Sequence, residues 1–211
     1  MSMDTNDLIA VLSQSAPPRR PLSFTLVLFI LCAASAAVTV VLLGARADLG
    51  EALTRPGFLF KTLLLSTAVV IAGLAVRRGA TPLSRLHGLT PFVWGFALLL
   101  GGAILFEWAT TPAAHILALF PTPNFIICLL AVLIYGSIGI VCLIGLMRLY
   151  APADPKTAAT LIGLAAATSG ALGYSLHCPF DSPTFIVVAY SLPILGVTML
   201  ARCAAPTFIR W

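Results

Sequence analysis

The chain carries five cysteines, and two of them stand where a thiol could react. Cys178 lies in the polar, proline-punctuated segment Leu176-His177-Cys178-Pro179-Phe180-Asp181-Ser182-Pro183, and Cys128 lies at the start of an earlier apolar run. The topology argued below puts both on one side of a membrane, facing an oxidising compartment, where thiols form disulfides or bind soft metals. His177 adjoins Cys178, and His115, Glu107 and Asp181 fall on the same face, so a mixed sulfur and nitrogen site is chemically available. No tight ligand spacing marks a dedicated zinc site, and the identity of any metal stays open. Cys32 and Cys142 fall within apolar runs and Cys203 at the end of the last one, where a thiol packs as a small apolar residue.

Other chemistry is sparse. The sequence has no Gly-rich phosphate loop, Cys-x-x-Cys, His-Glu-x-x-His or Ser-His-Asp arrangement, so neither an enzymatic activity nor a cofactor is expected. Asp4, Asp7 and Asp154 fall on one side of the apolar runs and Asp48, Glu51, Glu107 and Asp181 on the other; none lies in the middle of a run. That placement counts against an ion-coupled transporter or a proton relay, which carries an ionisable group near the bilayer centre. Asp181-Ser182-Pro183 reads as a helix start, with a side-chain oxygen capping exposed N–H groups and Pro183 in the first turn, and capping is preferred over metal binding for Asp181 and Ser182.

The elements that position these groups follow from composition, since 60% of the residues are hydrophobic and only 9% charged. Six apolar runs are long enough, at roughly 20 residues, to cross about 30 Å of hydrocarbon as helices. They cover about Leu22–Gly44, Phe58–Val76, Leu89–Phe106, Phe125–Met147, Thr157–Leu176 and Pro183–Ala201. Continuous apolarity without alternation argues against barrel strands. The expected fold is an all-α, integral membrane six-helix bundle, with residues 22–211 forming the membrane domain. The first run follows a polar tail and exceeds the core of a cleavable signal, so it is expected to remain.

Basic residues flanking spans are retained in the cytoplasm. Arg19, Arg20, Arg77, Arg78, Arg85, Arg148, Lys156, Arg202 and Arg210 mark one face, against Arg46, Arg55 and Lys61 on the other, so both termini are expected inside (N-in/C-in). The net charge of +5 therefore serves topology, and no direct nucleic-acid contact is expected. Residues 1–21 are the one candidate for a separate module: Asp4, Thr5 and Asn6 can start a helix, Leu8, Ile9 and Leu12 line one side of it, and Pro17-Pro18 stop it. Such a helix could offer its apolar side to a groove on a cytoplasmic partner, lie on the membrane, or stay unfolded as a leader.

Several segments resemble one family. They are Met3-Asp4-Thr5-Asn6-Asp7-Leu8-Ile9 with Ala16-Pro17-Pro18-Arg19-Arg20-Pro21, the Arg55-Pro56 to Lys61 approach, Cys128, Tyr150-Ala151-Pro152, His177-Cys178-Pro179, Asp181-Ser182-Pro183, Tyr190 and the terminal Arg210-Trp211. Together they are similar to the NrsF family of six-span inner-membrane negative regulators, anti-sigma factors for extracytoplasmic-function sigma factors. Phe180 stands where many relatives carry an acidic residue, and Ala189 where they often carry Trp. The resemblance implies a bacterial inner-membrane protein whose cytoplasmic surface, with Asp7, Leu8, Ile9 and Leu12, holds a sigma factor away from core polymerase. It also implies that Cys128, Cys178 and His177 sense an oxidant or heavy metal. A signal there must favour a different helix arrangement, and Gly136, Gly139, Gly163, Gly170 and Gly173 are expected to let the fourth and fifth spans pack closely. A small transporter and a membrane thiol oxidoreductase remain the alternatives at this stage.

Overall fold

The computed structural model describes residues 23–80, 89–120, 122–150, 152 and 154–209. Its regular structure is entirely helical among the described residues. Six helices are long: α1 (Phe24–Leu43), α3 (Pro56–Gly79), α4 (Thr90–Thr110), α6 (Pro123–Met147), α7 (Pro155–Tyr174) and α8 (Pro183–Ala204). Three are short: α2 (Leu49–Ala52) and α5 (Ala113–Leu117) lie in connections, and α9 (Pro206–Ile209) follows the last long helix. The long helices match the expected runs to within about one turn.

Proline starts explain much of this register. Pro56, Pro123, Pro155 and Pro183 open α3, α6, α7 and α8, in a turn whose N–H groups have no helical acceptor anyway. Asp154 caps α7 by accepting from the N–H groups of Lys156 (3.0 Å) and Thr157 (3.3 Å). Ser182 caps α8 by accepting from Phe185 N–H at 3.2 Å.

Five of the long helices, α1, α3, α4, α6 and α8, are long and apolar enough to cross a membrane. The remaining one, α7, is built largely of Ala, Gly, Ser and Thr, and 13 of its 20 residues are buried. It is the central post, packed against α6, α8, α1 and α3. A helix surrounded by protein needs small side chains for close approach rather than bulky ones for lipid, which is why its apolarity falls below that of its neighbours. Gly136 and Gly139 of α6 meet Ala167 and Ala166 of α7, and Gly170 meets Tyr135. Gly163 and Gly173 depart from the expected hairpin role, because they admit Ala201 of α8 and Ser35 of α1 instead. At the other extreme α4 has no buried residue and stands at the edge. Its Glu107 carboxylate ties it to α8, accepting from Thr184 N–H at 2.8 Å and Thr184 hydroxyl at 2.6 Å.

Candidate thiol site

The segment between α7 and α8 is held by backbone first. His177 N–H and Cys178 N–H both reach back to Tyr174 carbonyl (3.0 and 3.4 Å), and Leu176 carbonyl accepts from Arg46 N–H at 3.3 Å. The chain after α1 turns at Gly44, whose φ of 82° suits glycine, and its carbonyl accepts from His177 Nδ1 at 2.9 Å. His177 therefore braces the loop against α1 rather than joining the sulfurs.

Cys128, in the second turn of α6, and Cys178 come together in one buried cluster with Tyr174, Phe185, Ala189 and Tyr190. Both thiols are free, and both have 0% exposure. This differs from the expectation of sulfurs facing solvent: the loop folds inward over the helix ends and seals them. The two thiols are close neighbours, and the Tyr190 hydroxyl, which has no hydrogen-bond partner, lies beside both. Cys178 Sγ also reaches Phe180 carbonyl at 3.9 Å, while Cys128 Sγ donates to Ala189 carbonyl at 3.8 Å. The adjoining Cys128 side chain, with help from the Lys61 ammonium and against the opposing effect of burial, pulls the Cys178 thiol down from its ordinary value to about 6.

Around the thiols lies an ion-pair network that sequence reasoning missed. Lys61, in the second turn of α3, is fully buried; its ammonium pairs with Asp181 Oδ1 at 2.6 Å and donates to the carbonyls of Cys178 (2.9 Å) and Phe180 (3.1 Å). Arg46 donates to Asp181 Oδ2 at 2.7 Å and forks onto Asp48, which Arg55 also engages at 2.8 Å while reaching Glu51 at 2.9 Å. Both Arg46 and Lys61 also lie over the Phe58 ring. The Arg46 hydrogen bond holds the Asp48 carboxyl below its usual range and raises the guanidinium above its own. Three cations face three carboxylates, so the network is neutral as drawn.

Asp181 is thus an ion-pair acceptor, and only Ser182 performs the capping expected of the two. Gly57 makes the ion pair sterically accessible: a Cβ there would stand 3.1 Å from that of Asp181. The missed signal was Lys61 itself, since an ammonium inside the second turn of an apolar run demands a partner. Among the described residues no cluster of three or more His, Cys, Asp or Glu side chains is arranged to hold a metal ion. Cys142 and Cys203 are exposed rather than packed, and Cys32 is half-buried. Asp7, Leu8, Ile9 and Leu12 lie outside the described residues, as does the terminal Arg210-Trp211.

Comparison with known proteins extends over nearly the whole chain. A family model described as NrsF, negative regulator of sigma F, matches residues 8–211. The anti-sigma-F factor NrsF of Caulobacter vibrioides (strain NA1000 / CB15N) is 30% identical over 223 aligned residues, covering 99% of this chain and 100% of that protein. No solved structure matches.

Proposed function

The chain belongs to the NrsF family of negative regulators of sigma F, and from that premise we propose that it is a membrane-bound anti-sigma factor whose sigma factor is of the extracytoplasmic-function class. The observation that carries this reading is a match running from residue 8 to the last residue, with a curated anti-sigma factor aligned along its full length. In this reading α7 also spans the bacterial inner membrane, which makes six crossings, and the basic ends of the helices put both termini in the cytoplasm. The thiol cluster then faces the periplasmic side. The tail, with Asp7, Leu8, Ile9 and Leu12, meets the sigma factor.

Cys128 and Cys178 are the sensing groups: a two-electron oxidant joins them as a disulfide, or a soft metal ion takes both as thiolates. Two facts support this role. The sulfurs already share one buried cluster, and Cys178 is biased toward the thiolate, the form that reacts. Their burial means that an agent meets them through an opened form of the loop, so the ion pairs of Asp181 set the threshold of the response. A reporter of sigma-dependent transcription tests the reading. Cys128→Ser and Cys178→Ser should keep the reporter low and abolish its induction by oxidant or heavy metal; a response left intact in both refutes thiol sensing.

A further inference from the structure

The deepest use of Cys128 concerns α8 rather than Cys178. Pro193 lies inside α8, buried and without an N–H, so the helix cannot give the carbonyl of Ala189, four residues back, its usual donor. Proline-freed carbonyls at membrane depth are satisfied by side chains of neighbouring helices. Here the neighbour is Cys128: its Sγ donates to Ala189 carbonyl at 3.8 Å, across the α6–α8 contact, and both residues have 0% exposure. The thiol thus serves as the substitute donor at a helix break, a position where bends occur.

We propose that Cys128 reports its own chemical state to α8 through this carbonyl, so that loss of the thiol proton frees the helix to bend at Pro193. Disulfide formation with the Cys178 thiolate removes the Cys128 proton and passes two electrons to an oxidant, such as a small-molecule disulfide, which leaves as a thiol and a thiolate. Capture of a soft divalent cation by both sulfurs displaces the same Cys128 proton with no electron transfer. Either reaction leaves Sγ of Cys128 with no hydrogen to donate, and Ala189 carbonyl loses its side-chain partner.

The contacts of α8 beyond the break show where a bend would be felt. Gly163 of α7 receives Ala201 and Thr198 so closely that a Cβ there would stand 2.6 Å from Ala201 Cβ and 2.8 Å from Thr198 Cα. Arg202 donates to Thr160 hydroxyl at 3.2 Å, and just past the helix Phe208 carbonyl accepts from Arg148 Nε at 2.7 Å. These contacts tie the last turns of α8, and α9 after it, to α6 and α7 at the end remote from the thiols. A pivot at Pro193 changes that surface, which lies on the same cytoplasmic side as the sigma-binding tail of the proposed function; the signalling consequence rests on that reading, whereas the coupling of thiol to helix does not.

Hydrogen–deuterium exchange of the full chain in lipid nanodiscs tests the coupling without any sigma factor or inducer. Cys128→Ala removes the donor, Cys128→Ser keeps one, and Pro193→Ala restores the backbone N–H. Amides of residues 194–204 should exchange about threefold faster or more in Cys128→Ala and stay at the wild-type rate in Cys128→Ser, and the difference should vanish in the Pro193→Ala background. Should Cys128→Ala not fold, Cys128→Val removes the donor with less loss of volume and carries the same expectation. Equal exchange in the Ser and donor-free variants, or a difference that persists with Pro193→Ala, overturns the proposal. Either outcome is independent of whether the cysteines sense stress in the cell, which the reporter decides.

Discussion

Replacing Lys61 with methionine keeps the length of the side chain and removes only the charge that holds the thiol loop. The ammonium serves three acceptors: Asp181 Oδ1 at 2.6 Å and the carbonyls of Cys178 and Phe180 at 2.9 and 3.1 Å. Removing one partner of a buried ion pair costs about 3–5 kcal/mol, and the lower end applies because Arg46 still accompanies Asp181, whose side chain is 16% exposed. If roughly 2 kcal/mol of that loss falls on opening of the loop alone, the opened fraction rises about 30-fold. Labelling of Cys178 by a membrane-impermeant maleimide, in a chain with Cys32, Cys142 and Cys203 replaced by Ser, reads that fraction directly. Asp181→Asn should accelerate labelling by a similar factor, and the double variant should add little to either single one, with a coupling of about 2 kcal/mol. Labelling at the wild-type rate in Lys61→Met, or strictly additive effects in the double variant, would refute the latch.

Further outcomes follow from the same contacts. Gly163→Leu forces a side chain into the space of Ala201 and Thr198, so the midpoint of unfolding by SDS in mixed micelles should fall, as expected of an overpacking cost of about 1–3 kcal/mol. Ser182→Ala removes the cap on Phe185 N–H and should cost about 1 kcal/mol in the same titration. Because the closed form dominates, alkylation of Cys178 by iodoacetamide should rise with pH to about 6 and then level off. The sign agrees with linkage: a depressed thiol pKa contributes stability above the ordinary value of about 8.5 and loses it as pH falls through about 6. A rate still climbing between pH 7 and 9 would show that the thiolate is not favoured in the folded protein.

The long helices were legible because hydrophobic length is a strong local signal; of the proline starts only Pro183 was read, and Pro56, Pro123 and Pro155 open their helices two residues before the expected apolar runs. The character of α7 was less so: a run of Ala, Gly, Ser and Thr looks like a weak span, and only the packing shows that its small residues answer to four neighbours. The meeting of Cys128 with Cys178 was readable once the spans were counted, but their burial was not, because the inward fold of the loop depends on Lys61 and Arg46 reaching Asp181 from two other helix ends. Such pairings join residues more than a hundred positions apart and leave no periodic trace. Pro193 was in plain view as a proline inside an apolar run; its partner was not, since the donor comes from α6.

The most direct test of the regulatory account is to extract the tagged protein gently from membranes of its own host and identify what travels with it. The account predicts a stoichiometric sigma factor that is lost when residues 1–15 are removed and released when the wild-type chain is exposed to a thiol oxidant or soft metal ion. Intact protein with a verified cytoplasmic N-terminus and no sigma factor bound would contradict it.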